Sequence, residues 1–175
     1  MSFVLSATNV DQLPESKAEI ALVGRSNVGK SALLNAVCNR KSLARVSNTP
    51  GRTQLINLFQ TPTGGTVVDL PGYGFAKISR DEQYEFNLNV SQYLTERENL
   101  KQVFALVDSR LSPQQSDLAF VAWLHQCEIS FALIFTKTDK SSDHTVKNHS
   151  QQFVQALEDM EISGLRTFNC SSKTS

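Results

Sequence analysis

Apolar and polar residues alternate along this chain in blocks, and the period within each block predicts its structure. Ala18 to Val23 (AEIALV) is a short apolar run that reads as a buried strand. Ala32 to Arg40 carries apolar residues at helical spacing, after a short polar loop that ends in Lys30-Ser31. Leu55 to Gln60 and Thr66 to Leu70 read as two strands joined by the turn signal Thr61-Pro-Thr-Gly-Gly65, hence a hairpin. Arg80 to Leu100 is mostly polar, with Tyr84, Leu88 and the Tyr93-Leu94 pair near helical spacing, which predicts a surface helix with a narrow apolar stripe. Gln102 to Asp108 is another apolar strand. Pro113 opens a helix that ends near Cys127, with Leu118, Val121, Trp123 and Leu124 inward. Ile129 to Phe135 is continuous and aromatic, and is expected at the centre of the sheet. Asp143 to Met160 reads as a helix and Arg166 to Cys170 as the last strand. Two stretches lack a period. Residues 1–17 form a polar extension with Pro14, expected to pack loosely over the sheet edge, and residues 41–53 form a long polar loop around Pro50-Gly51.

Strand–helix alternation of this kind argues a doubly wound α/β fold, and the hairpin makes its sheet mixed but mostly parallel. Ligands in such folds sit at the carboxyl ends of the strands, and the candidate chemistry falls there. Between the first strand and helix lies Gly24-Arg25-Ser26-Asn27-Val28-Gly29-Lys30-Ser31, which fits G-x-x-x-x-G-K-[ST]. Backbone N–H groups of such a loop point at phosphates, and the helix dipole favours their negative charge. Gly24 and Gly29 let the backbone turn and approach closely. Lys30 is expected to reach the β- and γ-phosphates, and the Ser31 hydroxyl to take one Mg²⁺ position.

Four weaker motifs follow. Asp69-Leu-Pro-Gly72 closes a strand, where the aspartate can hold Mg²⁺ through water and the Gly72 amide can meet a γ-phosphate. Thr53 offers a hydroxyl that can complete the metal's coordination. Thr136-Lys137-Thr138-Asp139 follows the aromatic strand. Its Asp139 carboxylate can accept from the N1–H and N2–H₂ of guanine, two donors that adenine does not present together, and the Lys137 stem can lie along the base. Ser171-Ser172-Lys173 ends the last strand, where a backbone amide can meet guanine O6. Each has a bland counterpart: a Pro-Gly turn, a solvated threonine, an Asx turn, a frayed serine-rich end. Five matches in the right order, each after a predicted strand, point to one nucleotide site.

Composition adds bounds. With 175 residues and 40% hydrophobic content the chain is expected to be one domain with a proper core. A net charge of zero gives no support for a nucleic-acid partner at the level of composition. Locally, however, Arg40, Lys41, Arg45 and Arg52 cluster with no acidic residue from Arg40 through Thr53. Cys38, Cys127 and Cys170 are too scattered for a disulfide framework or a zinc site, so a reducing cytoplasm is expected. The opening residues lack a basic start and a long apolar stretch, so no signal peptide is expected, and no apolar run is long enough to span a membrane.

Taken together these motifs look like a translation-factor-related GTPase. More narrowly, the chain resembles the bacterial EngB (YihA/YsxC) family of ribosome-assembly GTP-binding proteins, among the TrmE-Era-EngA-EngB-Septin-like P-loop GTPases. The narrower match is carried by residues 24–31, Lys41-Ser-Leu-Ala-Arg45, Thr49-Pro-Gly-Arg-Thr-Gln-Leu-Ile-Asn-Leu-Phe59 and Val68-Asp-Leu-Pro-Gly-Tyr-Gly74. The resemblance implies a single GTP-binding domain over 1–175, with residues 41–53 the first switch loop and Asp69 to about Ile78 the second. It implies that Gly51, Arg52 and Thr53 meet the nucleotide, Thr53 as a metal ligand, and that Asn27 helps to hold K⁺. It also implies large-subunit rRNA and ribosomal proteins as partners of a monomer. Two departures stand out. Thr136 replaces the usual Asn of the general guanine tetrad, a Thr that the resembled family also tolerates, so guanine is kept with a lower affinity expected. The sequence given stops at Ser175, where a closing C-terminal helix is expected.

The reaction expected is hydrolysis of GTP to GDP and phosphate, which needs charge neutralisation and a positioned water. The residue after Gly72 is Tyr73 rather than a glutamine, so intrinsic hydrolysis should be slow. A partner, a cation or a rearranged switch would supply the missing group, with Arg52 either a charge donor in cis or merely solvated. The alternative is a nucleotide-sensing interaction module in cell division and septation, with negligible turnover. An ATPase is disfavoured by Asp139.

Overall fold

The computed structural model describes residues 1–39, 55–73 and 80–171, with the side chains of residues 80–86 excepted. In chain order the elements are β1 (Ser2–Ala7), β2 (Glu19–Gly24), α1 (Lys30–Val37), β3 (Ile56–Gln60), β4 (Thr66–Asp69), α2 (Arg80–Glu96), β5 (Leu100–Asp108), α3 (Gln115–Gln126), β6 (Phe131–Thr136), α4 (Asp143–Glu158) and β7 (Thr167–Asn169). Among the described residues the strands make one sheet in the order β1-β3-β4-β2-β5-β6-β7. The β3–β4 hairpin and the β1–β3 pair are antiparallel. The pairs β2–β4, β2–β5, β5–β6 and β6–β7 are parallel. A mixed, mostly parallel α/β sheet is therefore what the chain builds, as its periodicity predicts.

Period-two alternation sorts the strand residues onto two faces. Ala21, Val23, Val68, Val103, Ala105, Val107, Leu133 and Phe135 point to the larger core, under Val90, Tyr93 and Leu94 of α2, Leu118, Val121 and Leu124 of α3, and Phe153 and Leu157 of α4. Leu22, Val67, Leu106 and Ile134 point to the smaller one, where Leu34 of α1 and the loop residue Val28 pack. On this second face α1 is the only helix contributing buried residues among those described. At the sheet's end β7 is exposed, and Phe168 meets Phe104 edge-on with ring centroids 6.5 Å apart.

Four expectations need correction. Residues 2–7 are not loosely packed: they form an edge strand, with Ala7 buried against Ile56 and Phe3 edge-on to Phe59 at 5.7 Å. The polar residues around them hide a strand whose partner among the described residues is remote in sequence. The aromatic run is not central, since β6 lies second from the edge and β2 holds the middle. Continuous apolarity reports that both faces of a strand are covered, which β6 achieves without being central. The first helix is shifted toward the loop, opening at Lys30 and closing at Val37 with Cys38 as cap. Finally Leu88 is exposed and Val90 takes the inward position on α2.

One buried ion pair fastens the start of β2 to α2. Glu19, fully buried, accepts from Arg97 Nη2 at 2.7 Å, from Tyr93 Oη at 2.7 Å and from Ser16 Oγ at 2.6 Å. Arg97 also donates to the carbonyl of Pro14. Burial alone would raise the Glu19 pKa, but these donors hold it below the ordinary glutamate value.

Candidate functional site

Parallel pairing brings four carboxyl ends to one edge. Leu22 is level with Asp69, Gly24 with Leu106, and Asp108 with Thr136, so the ends of β2, β4, β5 and β6 form one rim. Over this rim runs the 24–31 loop. Gly29 caps α1 with φ 115°, a left-handed conformation that favours glycine. Gly24 is glycine for another reason: a Cβ there would lie 2.7 Å from the Leu106 carbonyl oxygen and 2.9 Å from Val28 Cγ1.

Gly72 has the same kind of constraint. A Cβ on it would come within 2.8 Å of the Ser26 backbone nitrogen and 2.9 Å of its Cα. The next residue, Tyr73, is stitched to the loop from both sides: its carbonyl accepts from Ser26 N at 2.9 Å and its N–H donates to the Gly24 carbonyl at 3.3 Å. Asp69-Leu-Pro-Gly72 and the 24–31 loop are thus one packed unit.

At its centre are Lys30, Ser31 and Asp69. Lys30 Nζ is 3.4 Å from the Gly24 carbonyl, and burial pulls its pKa down against the opposing pull of Asp69. Burial pushes the Asp69 carboxyl up to about 6, with the Lys30 charge and a Ser31 hydroxyl bond holding it back. Its Oδ1 is buried and has no hydrogen-bond partner among the described residues. A hard cation fits this set: an oxygen-rich pair, Ser31 and Asp69, with one orphaned carboxylate oxygen.

The 136–139 segment is bonded to the same loop. Thr136 Oγ1 donates to the Val28 carbonyl at 2.7 Å, so its hydroxyl fixes the loop. Lys137, at φ 59°, donates from Nζ to the Asn27 carbonyl at 2.6 Å and to Asp108 Oδ2 at 2.8 Å. Its head group is committed and only its stem is available to a base. Asp139 Oδ1 accepts from Ser171 Oγ at 2.9 Å, which brings the end of the chain to the same loop. Thr138 N–H donates to the Cys170 carbonyl at 3.3 Å.

Asp108, Arg110 and Asp117 belong to no motif, yet they hold this rim together. The Asp108 carboxylate takes Arg110 Nε at 2.9 Å and Nη2 at 2.8 Å as well as Lys137. Burial alone would raise its pKa, but the Arg110 and Lys137 bonds bring it down to about 2. The signal was present in the sequence, because Asp108 ends a parallel strand just as Asp69 does. Tyr73 is turned away from the loop: its hydroxyl donates to Asp117 Oδ1 on α3 at 3.0 Å. The readings on Gly51, Arg52, Thr53, Ser172 and Lys173, on the basic residues Arg40, Lys41 and Arg45, and on both proposed switches beyond Tyr73 lie outside the described residues.

Comparison with known proteins agrees with this geometry. The family described as 50S ribosome-binding GTPase matches residues 19–137. The chain is 44% identical over 156 residues to the "Probable GTP-binding protein EngB" of Heliobacterium modesticaldum, covering 89% of this chain and 76% of that protein. It is 39% identical over 175 residues to the protein of the same description from Leuconostoc mesenteroides, covering 99% and 90%. Among solved structures, a probable GTP-binding protein engB aligns over 89% of both chains with a TM-score of 0.71 at 22% identity. Era in complex with MgGDPNP and a 16S ribosomal RNA segment aligns over 91% of this chain and 52% of its own, with a TM-score of 0.67 at 19% identity. At such identities the structures speak for the fold, a P-loop GTPase fold.

The Asp69 shift has a consequence for stability. Its folded pKa, about 6, lies above the ordinary 3.8, so folding favours the protonated form. The stability this contributes is complete below pH 4 and is lost as pH rises through 6, roughly 3 kcal/mol in all. The Asp69→Asn protein should therefore melt higher than the unmodified one at pH 7.5 without nucleotide or Mg²⁺, and the gain should vanish near pH 4. Melting curves at the two pH values check this, and an equal Tm at pH 7.5 rejects it.

Proposed function

The chain belongs to the EngB family of GTP-binding proteins, and from that premise we propose that it is a single GTP-binding domain that binds GTP and GDP with Mg²⁺ and hydrolyses GTP to GDP and phosphate as a slow switch in large ribosomal subunit assembly. The observation that carries the guanine reading is the bonding of residues 136–139 to the 24–31 loop through Thr136 and Lys137. Base and phosphate recognition are thereby held in one frame, with Asp139 beside it.

In this reading the amides of residues 24–31 face the phosphates, Lys30 meets the β- and γ-phosphates, and Gly72 lies at the γ-phosphate end. Ser31, Asp69 and Thr53 would hold the metal, which when bound neutralises charge on the phosphate oxygens. Asp139 accepts from guanine, the Lys137 stem flanks the base, Thr138 shares their loop, and the Ser171–Ser172 backbone approaches O6. Gly51 and Arg52 would close over the phosphates. Asn27 is exposed with φ 61°, which leaves its side chain available for a K⁺ ion beside the phosphates. The basic residues Arg40, Lys41, Arg45 and Arg52 would meet rRNA phosphates, and a monomer in the cytoplasm is the natural setting for that contact. Among the described residues no helix is long and apolar enough to cross a membrane.

One observation favours the second reading, a nucleotide-sensing module in cell division with negligible turnover. The Tyr73 hydroxyl is engaged by Asp117, so the position after Gly72 offers no group to orient water. Ribosomal particles that stimulate turnover separate the two readings.

Three outcomes test the proposal. Asp139→Asn should lower GTP affinity by roughly 2–4 kcal/mol and admit xanthine nucleotides, whose donor pattern suits an amide. Equal binding of ATP and GTP by the unmodified protein would sink the assignment. GTP hydrolysis should be faster in potassium than in sodium at equal ionic strength, and no difference removes the cation from Asn27. The protein should sediment with large ribosomal subunits more tightly with a non-hydrolysable GTP analogue than with GDP, in a salt-sensitive way. Identical sedimentation in both nucleotide states counts against the switch.

A further inference from the structure

A cluster on the far side of the 24–31 loop remains unexplained by nucleotide contact. Asp117 lies in the first turn of α3, is only 2% exposed, and carries a carboxylate between two elements of the site. Its Oδ1 accepts from the Tyr73 hydroxyl at 3.0 Å and lies 3.6 Å from Arg25 Nε. Arg25 Nη1 reaches Gln114, the residue that caps α3, at 3.5 Å. Beneath them the Tyr73 ring stacks on Phe120 with centroids 4.7 Å apart and planes 26° apart, and Phe120 lies 5.8 Å from Trp123.

A buried carboxylate is costly to keep in a core that could have been apolar. Burial indeed raises the Asp117 pKa, against the Tyr73 hydroxyl and the Arg25 charge that lower it. Both partners come from the nucleotide rim: Arg25 is the second residue of the phosphate-loop motif, and Tyr73 directly follows Gly72. Their backbones already pair with each other in parallel, Arg25 against Tyr73. The main chain can hold those two segments together, but only the side chains tie the pair to a helix.

We propose that Asp117 is a positioning residue for nucleotide binding, fastening Arg25 and Tyr73 to α3 so that the Gly72 end of the site is preset to receive a γ-phosphate. The proposal rests on the GTP reading above and extends it to a residue that touches no nucleotide. Preset geometry lowers the ordering needed on binding, and the gain falls on the ligand that uses the preset end. GTP reaches Gly72 through its third phosphate and GDP does not. Breaking the fastening should therefore weaken a triphosphate more than a diphosphate. The same chain of rings makes Trp123, the only tryptophan in the chain, an optical reporter of Tyr73.

Affinities of the full chain for GDP and for a non-hydrolysable GTP analogue, with Mg²⁺, test the idea. Tyr73→Phe keeps the ring on Phe120 and removes only the bond to Asp117. It should weaken the analogue about tenfold, the scale of one hydrogen bond to a charged group, and GDP less than twofold. Asp117→Asn retains an acceptor for the hydroxyl but loses the charge facing Arg25, and should shift the ratio in the same direction. Trp123 fluorescence should differ between the two nucleotide complexes in the unmodified protein, and the difference should shrink in Tyr73→Phe. Variants that lose both nucleotides equally, or keep the unmodified ratio while melting as the parent does, overturn the inference alone. Unmodified protein that binds neither guanine nucleotide overturns the GTP reading and the inference with it.

Discussion

The 24–31 loop passes its neighbours at distances that admit no side chain. On one flank the position of a Gly24 Cβ is filled by the Leu106 carbonyl, and on the other that of a Gly72 Cβ is filled by the Ser26 backbone. Everything at the rim follows from this close approach. With strand ends and loop in van der Waals contact, Thr136, Lys137 and Tyr73 can reach loop carbonyls and amides directly. One added methyl group at either glycine would force a backbone apart, because backbone atoms, not flexible side-chain tips, stand in the way.

The charges around this contact divide into two kinds. Glu19 and Asp108 are satisfied within the protein by arginine, lysine or hydroxyl donors, and both are held below the ordinary carboxylate range. Asp69 is held above it, with an orphaned oxygen and, among the described residues, Lys30 and Ser31 to help. Folded chains leave such groups uncompensated where something else completes them. The contrast separates Glu19 and Asp108, which hold the frame, from Asp69, whose Oδ1 is buried without a partner among the described residues.

Much of this was legible in the sequence. The 24–31 motif between a strand and a helix, the hairpin at Thr61–Gly65 and the order of the strand-end motifs all describe local chemistry, and local chemistry survives folding. What escaped was long-range. Residues 2–7 become a strand only because β3, some 50 positions on, supplies the partner, as Ser6 Oγ bonded to Asn57 across 51 residues makes plain. The place of β6 in the sheet depends on its pairing with β7, whose range the sequence predicts but whose partner strand it does not. Asp117 falls in no motif of the sequence. Its burial depends on Tyr73 and Arg25, which lie 44 and 92 residues away along the chain.

The departure at Thr136 shows how topology offsets a substitution. An asparagine there could offer two amide hydrogens, whereas threonine has a single hydroxyl hydrogen. That hydroxyl lies 2.7 Å from the Val28 carbonyl and 3.2 Å from the Val107 carbonyl, and it is buried, so water does not compete for it. A second tie comes from Lys137, which binds the Asn27 carbonyl while its charge is held by Asp108. Two adjacent loop carbonyls, Asn27 and Val28, are thus gripped from one strand end. What threonine gives up is reach toward a base, since its hydrogen is already directed at the loop. In the proposed GTP reading, base selection would then fall more heavily on Asp139. Ser171 already donates to that carboxylate's Oδ1, so the serine both orients the carboxylate and limits the directions from which a base can approach it.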